Sequence, residues 1–260
     1  MIKDFLLDLI FPRFCLGCQK ELGLKQVSFI CETCFNNIPL NDIECHVCGL
    51  RTADGTCLPA QTGRQCRSRT SLKGLFAAGH YQDPTLREAI NHFKYNSIES
   101  LKKPLTELLI NYLKKEKLID MLSNSILAPI PLTWRRKINR GFNQSEILAK
   151  ELSPILNCPV INLLKRQKFN AQQAKITDWK KRKENISGAF TINSKIFNLS
   201  TTYPLFTRHP MSGKRGRPDE IKRVVLVDDV STSGATLEEA ARVLKEAGFK
   251  EVYGLVVAKG

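Results

Sequence analysis

The sequence predicts an α/β protein in which a parallel sheet with flanking helices follows a small cysteine-rich segment. Residues 224–227 form a hydrophobic run without alternation, which is typical of a central strand buried on both faces of a parallel sheet. Apolar residues recur at helical spacing over 237–247, and Gly248 follows where a helix needs a left-handed cap. On that helix, Glu238 and Arg242 are expected to form an i,i+4 ion pair. Eight of the nine cysteines precede residue 67.

Length and composition favour one medium-sized domain with a small one before it. Of the 260 residues, 42% are hydrophobic and 25% charged, which excludes a disordered protein. We expect an N-terminal helix and cysteine domain over 1–72 and an α/β domain over 73–260. The formal net charge of +15 favours polyanionic partners such as nucleic acid or phosphorylated metabolites, although many basic proteins bind neither.

The first 14 residues predict a short amphipathic helix that docks on the body of the protein. Lys3, Asp4 and Asp8 interrupt its apolar residues, and the segment lacks the apolar core and cleavage site of a signal peptide. No apolar run of 18 or more residues occurs in the sequence, so we expect no membrane span and a cytoplasmic location.

The N-terminal cysteines have the spacing of zinc ligands. Three Cys-x-x-Cys pairs are followed by two single cysteines, and two thiolates three residues apart can turn toward one tetrahedral ion. We assign two structural Zn²⁺ sites that supply folding free energy, the first with Cys15, Cys18, Cys31 and Cys34, the second with Cys45, Cys48, Cys57 and Cys66. An interleaved pairing satisfies the same spacings. Disulfides are the alternative to metal, disfavoured because no secretion signal is found.

Two further residues near this chemistry are expected to be structural. His46 lies inside a pair that already supplies two thiolates, so it is interpreted as a bystander. Cys158, before Pro159, is interpreted as buried rather than nucleophilic.

Hydrophobic patterns predict the remaining elements of the α/β domain. We expect a strand at 75–81, a helix from Pro84, a helix at 101–118 and a buried strand at 126–130. A basic loop over 133–144 should follow, and then a helix that Pro154 kinks or ends.

The loop after residue 227 carries the residue types that bind a phosphoribosyl group. It lies at the carboxyl end of a strand, where open α/β sheets bind ligands. Hydroxyl and backbone N–H groups at a helix N-terminus suit a phosphate; the loop offers Thr232, Ser233, Gly234, Ala235 and Thr236. Asp228 and Asp229, between strand and helix, would repel that phosphate unless they addressed ribose hydroxyls or a bridging Mg²⁺. The alternative is that the two acids merely cap the helix.

This stretch resembles the motif that binds 5-phosphoribosyl 1-diphosphate (PRPP) in type I phosphoribosyltransferases, with Ser231 where an aliphatic residue is more usual. The resemblance implies that Asp228 and Asp229 are the catalytic candidates and hold the ribose with Mg²⁺, while residues 232–236 bind the 5′-phosphate. It also suggests a pyrophosphate site in the basic loop, at Arg135, Arg136 and Arg140. The alternative for that loop is a solvated basic turn.

Further motifs resemble those of the ComF/GntX family. They are Pro-Ile-Pro-Leu at 129–132, Arg-Gly-Phe-Asn-Gln at 140–144, Gln173, Arg182, Asn185 and Gly-Ala-Phe at 188–190. The family joins a double zinc ribbon to a phosphoribosyltransferase-like domain and is associated with natural competence. Two departures occur: residues 96–98 replace the usual Gly-Asp after Lys94-Tyr95, and 190–223 is long, with a basic loop at 208–218.

Two functions follow as hypotheses. The first is a phosphoribosyltransferase-like protein that binds PRPP or a related compound with Mg²⁺; turnover and the acceptor base stay open. The second is a non-catalytic accessory factor of DNA uptake that binds single-stranded DNA, alongside partners such as a competence helicase. Cations at 165–183 and stacking by Trp134, Phe142 and Trp179 would serve it. The alternatives are a solvated helix face at 165–183 and core positions for Trp134 and Phe142.

Overall fold

The computed structural model describes residues 13–23, 28–53, 55–57, 65–95, 99–167, 186–194 and 223–260. Several predictions lie outside these residues: most of the N-terminal helix, the departure at 96–98, most cations of 165–183 with Trp179, and the basic loop at 208–218. Within the described parts of the chain, no helix is both long and apolar enough to cross a membrane.

A parallel sheet forms the centre of the protein. Its strands are β1 (Gly74–His80), β2 (Ile126–Pro129), β5 (Arg223–Ser231) and β6 (Glu251–Lys259), in the order β1-β6-β5-β2. The prediction of a central strand is confirmed, because β5 pairs with β2 on one side and β6 on the other. Strands β3 (Leu164–Arg166) and β4 (Phe190–Ile192) form a separate antiparallel pair.

Seven α-helices are described around these strands. They are α1 (Glu32–Asn36), α2 (Pro84–Tyr95), α3 (Lys102–Lys115), α4 (Ile119–Leu122), α5 (Trp134–Arg140), α6 (Gln144–Leu156) and α7 (Ala235–Glu246). Short 3₁₀ turns lie at Cys66–Arg69 and Glu99–Leu101. Two hydrophobic cores cover the two faces of the sheet: Val225 and Val227 join α2, α3 and α6, whereas Val224 and Leu226 join α7 and the β3–β4 pair.

The cysteine-rich segment packs directly on the sheet domain. Leu22, Ile30, Ile38 and Ile43 belong to the same core as α2 and α3. Backbone N–H of Asn41 donates to Ala78 O at 2.9 Å, which attaches this segment to β1. The segment therefore buries its few apolar residues against the larger domain rather than among themselves.

Strand β5 is longer than predicted, and this moves the two acids. Asp228 and Asp229 lie inside the strand, not between strand and helix as expected. The cause is the neighbouring strand: β2 ends opposite Val227, but β6 continues to pair with β5 as far as Ser231.

The predicted basic loop is instead largely helical. Thr133 accepts a hydrogen bond from Arg136 N at 3.4 Å and begins α5, and Gly141 ends it at a φ of 75°. Both are ordinary helix boundary signals. The next helix, α6, continues past Pro154 to Leu156, because the proline lies in its last turn.

Two other predictions on helices need correction, and one is confirmed. The helix expected at 101–118 ends at Lys115, and Lys117 adopts a φ of 55° before α4. Arg242 pairs with Glu239 and Glu246, not with Glu238. Gly248 caps α7 with a φ of 99°, and the bonds Gly248 N to Lys245 O and Phe249 N to Leu244 O complete the cap.

Candidate functional site

The eight N-terminal cysteines gather into two groups of four thiols. The first contains Cys15, Cys18, Cys31 and Cys34, and the second Cys45, Cys48, Cys57 and Cys66; within each, the sulfur atoms lie within 4.8 Å of one another. The pairing is thus sequential rather than interleaved. A tetrahedral zinc with Zn–S of about 2.3 Å places its sulfurs about 3.8 Å apart. Cys18 Sγ and Cys31 Sγ are 3.8 Å apart, so these residues fit Zn²⁺.

The same local turn brings the first cysteine pair of each group together. After Cys18 and after Cys48 the chain adopts positive φ, 60° at Gln19 and 75° at Gly49. In each turn the backbone N–H of that residue donates to the carbonyl of the first cysteine, at 3.0 Å and 2.8 Å. Backbone N–H groups also point at sulfur, as from Cys31 N to Cys15 Sγ at 3.3 Å. This geometry favours thiolates as metal ligands.

The thiol pKa values within each group diverge. Burial would raise the pKa of Cys15, but backbone N–H donors, led by that of Cys31, lower it to about 6. Burial and the neighbouring thiols raise the pKa of Cys34 to about 12. The second group repeats this pattern, with the pKa of Cys48 lowered to about 6 by the backbone at Leu50 and that of Cys66 raised by burial. Four thiolates in one place therefore require a cation.

His46 and Cys158 are both structural, as the sequence suggested. His46 Nε2 lies 2.8 Å from Thr70 Oγ1, and Nδ1 lies 3.1 Å from Gly55 O. Both ring nitrogens therefore have hydrogen-bond partners that do not belong to the group of cysteines. Cys158 is 3% exposed, and burial raises the pKa of its thiol.

The candidate phosphate loop is the segment 231–236, which runs from the last residue of β5 into the first turn of α7. Gly234 is the N-cap of α7 with a φ of 74°, a left-handed conformation that favours glycine. The following N–H groups of the helix therefore face the loop without a side-chain cap. Thr232 is exposed, whereas Ser231 is 5% exposed. The loop thus offers free backbone donors and hydroxyls to an anion.

The two acids of β5 have different partners. Asp228 Oδ1 accepts hydrogen bonds from Ser145 Oγ at 2.8 Å and from Asp229 N at 2.9 Å. Asp229 Oδ1 lies 3.3 Å from Lys94 Nζ. Burial, and then the charge of Asp229, raise the pKa of Asp228 to about 7. The two hydrogen bonds and the charge of Lys94 act in the opposite direction but do not offset this increase. A divalent cation beside the carboxylates would stabilise the ionised form of Asp228.

Basic residues lie around this carboxyl edge of the sheet. Burial lowers the pKa of Arg166 on β3, with a further decrease from Arg136, while Asp228 opposes the shift. Arg140 donates to Gln144 Oε1 at 3.2 Å, and its guanidinium carbon lies 5.2 Å from the Tyr95 ring centroid. Arg135 lies along α5, on the ring of Trp134, at 6.0 Å.

The two aromatic residues of this region differ in exposure. Trp134 is 54% exposed, so the interpretation of this side chain as a core residue is wrong. Phe142 packs against Phe93 with ring centroids 5.5 Å apart, and for it the core interpretation holds.

A cavity of about 980 Å³ adjoins the phosphate loop. Residues 231–235 of the loop line it together with Glu238, Glu239 and Arg242 of α7. On its other side lie His46, Val47, Arg69 and Thr70 from the second cysteine group and the turn that follows it. The candidate ligand pocket is thus built by both parts of the chain.

Sequence reasoning did not place three residues beside the acids, although Arg166 belongs to the cations predicted at 165–183. Lys94, Ser145 and Arg166 come from α2, α6 and β3, and only the fold brings them to β5. Lys94 lies near the end of the helix that was predicted from Pro84, and Ser145 directly follows the Arg-Gly-Phe-Asn-Gln motif. These positions in the sequence are the signals by which the two residues could have been identified as site candidates.

Comparisons with known proteins agree with both parts of this description. A model of the phosphoribosyl transferase domain matches residues 143–260, and a model of the double zinc ribbon domain matches residues 6–68. The chain is 28% identical to Competence protein F of Haemophilus influenzae, over 94% of this chain and 90% of that protein. It is 27% identical to DNA utilization protein YhgH of Escherichia coli K12, over 94% and 96%. Identity to Competence protein ComFC of Bacillus subtilis is 25%, over 92% and 91%.

Proposed function

Because the chain belongs to the ComF/GntX family, we propose that it binds PRPP or a related phosphoribosyl compound together with Mg²⁺, and that it acts in DNA uptake during natural competence. The double zinc ribbon and the phosphoribosyltransferase domain are the parts that carry this proposal. Uptake is inferred from relatives named for competence and DNA utilization.

The observation that carries ligand binding is the pair of acids beside the uncapped helix N-terminus. The N–H groups of α7 and the hydroxyls of 232–236 suit a 5′-phosphate. Asp228 and Asp229 suit ribose hydroxyls, since carboxylates accept their hydrogen bonds. The raised pKa of Asp228 marks a carboxylate that gains from a cation, so Mg²⁺ fits this position.

The chemistry that this site suits is displacement of pyrophosphate from the ribose. When bound, Mg²⁺ would neutralise the departing pyrophosphate. Arg135, Arg136 and Arg140 of α5 are the proposed contacts for that group. Asp228 and Asp229 orient the ribose and place negative charge near a carbon that becomes oxocarbenium-like, which is electrostatic catalysis that needs little proton transfer.

Calorimetry with PRPP tests the binding proposal. The wild type is expected to release heat with PRPP and Mg²⁺, and the double variant Asp229→Ala with Thr232→Ala is expected to lose binding, because each change removes a polar contact worth about 1–3 kcal/mol. Asp120→Ala on α4 is the control, since Asp120 is exposed and distant in sequence from the site. Equal heats from wild type and double variant would refute the site. Pyrophosphate release in the presence of candidate bases would show turnover.

A second candidate function, binding of single-stranded DNA, is favoured by the exposed face of α5. Trp134 is 54% exposed and Ile138 67% exposed, and both stand among the cations of that helix. Exposed aromatic rings beside cations bind single strands through base stacking worth about 1–3 kcal/mol per base. Trp134→Ala should therefore weaken oligothymidine binding by roughly tenfold. Phe142→Leu is the control that should leave this affinity unchanged, because Phe142 is partly buried and packs against the core. Equal affinity of wild type and Trp134→Ala would exclude α5 as the stacking surface.

A further inference from the structure

The cavity beside the phosphate loop is larger than a phosphate alone requires. Its volume of about 980 Å³ lies at the upper end of the roughly 300–1,000 Å³ typical of ligand pockets. Residues 231–235 line it, but Asp228 and Asp229 do not. For a ligand whose ribose lies at the acids and whose phosphate lies on the loop, the cavity therefore adjoins the phosphate on the side away from the ribose. Any group attached to that phosphate could occupy the cavity.

Hydrogen bonds fix the wall of this cavity that the ribbon contributes. Thr70 Oγ1 donates to Glu238 Oε2 at 2.7 Å, and Ser71 N donates to Glu238 Oε1 at 2.5 Å. His46 Nε2, 2.8 Å from Thr70 Oγ1, extends this chain of contacts into the second cysteine group. The ribbon wall is thus attached to the first turn of α7, directly after the phosphate loop.

The cavity contains polar groups that suit a second anionic unit. Ser231 is 5% exposed, and its hydroxyl makes no hydrogen bond to the part of the chain that the structure describes. That Oγ lies 4.0 Å from the position a Cβ would take on Gly234, so it faces the turn of the phosphate loop. Arg69 is exposed on the ribbon wall and forms no ion pair with any described residue. Lys259 adds a cation, 3.8 Å from Glu44.

We propose that the cavity binds nucleic acid chain continuing from the 5′-phosphate, so that the loop accepts a phosphodiester and the site receives the 3′-terminal nucleotide of a single strand. The inference rests on the proposed phosphoribosyl site. With the ribose hydroxyls at the acids, the strand can leave only through its 5′-phosphate. Ser231 donates to that diester, Arg69 meets the next phosphate, and Val47 and Ile186 offer apolar contact to a base.

Competition against labelled PRPP tests this inference with three probes. They are thymidine 5′-monophosphate, a thymidine trinucleotide with a free 3′-hydroxyl, and the same trinucleotide with a 3′-phosphate. The free 3′-hydroxyl trinucleotide should compete at least about tenfold better than the mononucleotide, because it gains a charged contact. The 3′-phosphate should remove that gain, since it would lie against the two carboxylates.

Variants locate the additional contact. Arg69→Ala and the gentler Arg69→Gln should each lose the trinucleotide's advantage while PRPP and mononucleotide binding stay unchanged. Arg87→Ala is the matched control, because Arg87 lies on α2 outside the cavity lining and, among the described residues, its side chain pairs with Glu88 at 3.9 Å. Zinc content must match the wild type in every variant. This comparison separates a lost contact from a misfolded ribbon.

The outcomes distinguish the inference from the proposal beneath it. A trinucleotide that competes no better than the mononucleotide, or an advantage that survives Arg69→Ala, overturns the inference and leaves PRPP binding standing. A trinucleotide that binds without displacing PRPP also overturns it, since the strand then lies elsewhere. If PRPP itself does not bind, the proposed function fails.

Discussion

Asp228→Asn is expected to make the protein more stable at neutral and alkaline pH while it removes ligand binding. Asn can keep both observed bonds, because its Oδ1 can still accept from Ser145 Oγ and Asp229 N. What the substitution removes is a carboxylate that is partly buried and lies beside the charge of Asp229. The wild type tolerates this unfavourable charge at the very place where the proposed Mg²⁺ would offset it.

The magnitude follows from the pKa of Asp228, which is raised from 3.8, its ordinary value, to about 7. Each pKa unit corresponds to about 1.4 kcal/mol, so ionised Asp228 destabilises the fold by up to about 4 kcal/mol. Since the folded pKa is raised, the folded state binds more protons than the unfolded state between about pH 4 and pH 7. Wild-type stability from this group is therefore present below pH 4 and is lost as pH rises through 7.

Urea unfolding of zinc-loaded wild type and Asp228→Asn, without Mg²⁺, measures the effect. The difference in unfolding free energy should increase from near zero at about pH 4 to a plateau of about 2–4 kcal/mol above pH 7. Zinc loss at low pH affects both proteins alike and cancels in the difference. Asp120→Asn is the control, as an exposed acid on α4. A difference that does not change with pH, or a less stable variant at pH 8, would refute the reasoning.

Three further outcomes are expected. Cys45→Ser should leave about one zinc per chain instead of two and unfold the second ribbon, because a site with three thiolates loses much of its binding free energy; metal analysis and proteolysis check this. A fully folded ribbon without zinc under reducing conditions would contradict it. Thr70→Val should lower PRPP affinity several-fold, measured by calorimetry, because Glu238 loses a partner at the start of α7; Thr85→Val is the control, because Thr85 lies on α2 and outside the cavity lining. Replacing Lys180, Lys181 and Lys183 by Ala should flatten the salt dependence of single-strand binding by about 2, with PRPP binding intact. An unchanged slope would remove these lysines from the DNA surface.

The parts of the fold that local sequence determines were predictable. The run at 224–227 and the cap at Gly248 each depend on neighbouring residues, and both were placed correctly. The grouping of the eight cysteines into two sets of four was also predicted correctly, since paired thiols at short spacing leave few arrangements. The phosphate loop follows from the same strand-to-helix unit, although the roles of its residues remain predictions.

What the sequence did not reveal depends on distant partners. Pairing with β6 determines the end of β5. The residues next to Asp228 and Asp229 in the sequence therefore could not show that these acids lie inside the strand. The contact of Glu238 with Thr70 spans 168 residues, and it replaced the local pair expected with Arg242. The helix α5 is a different case, because the capping signals at Thr133 and Gly141 were present but the charges nearby suggested a loop.

The packing of the first ribbon on the sheet makes zinc a ligand of the whole fold. Leu22 and Ile30 share a core with β5 residues Val225 and Val227, which lead directly into the two acids. A ligand that binds only the folded state stabilises it by an amount that increases with the logarithm of free ligand concentration. Zinc bound to the first ribbon would therefore also stabilise the strand that carries the two acids, even though none of the cysteines in the two groups lies in the loop at 231–236.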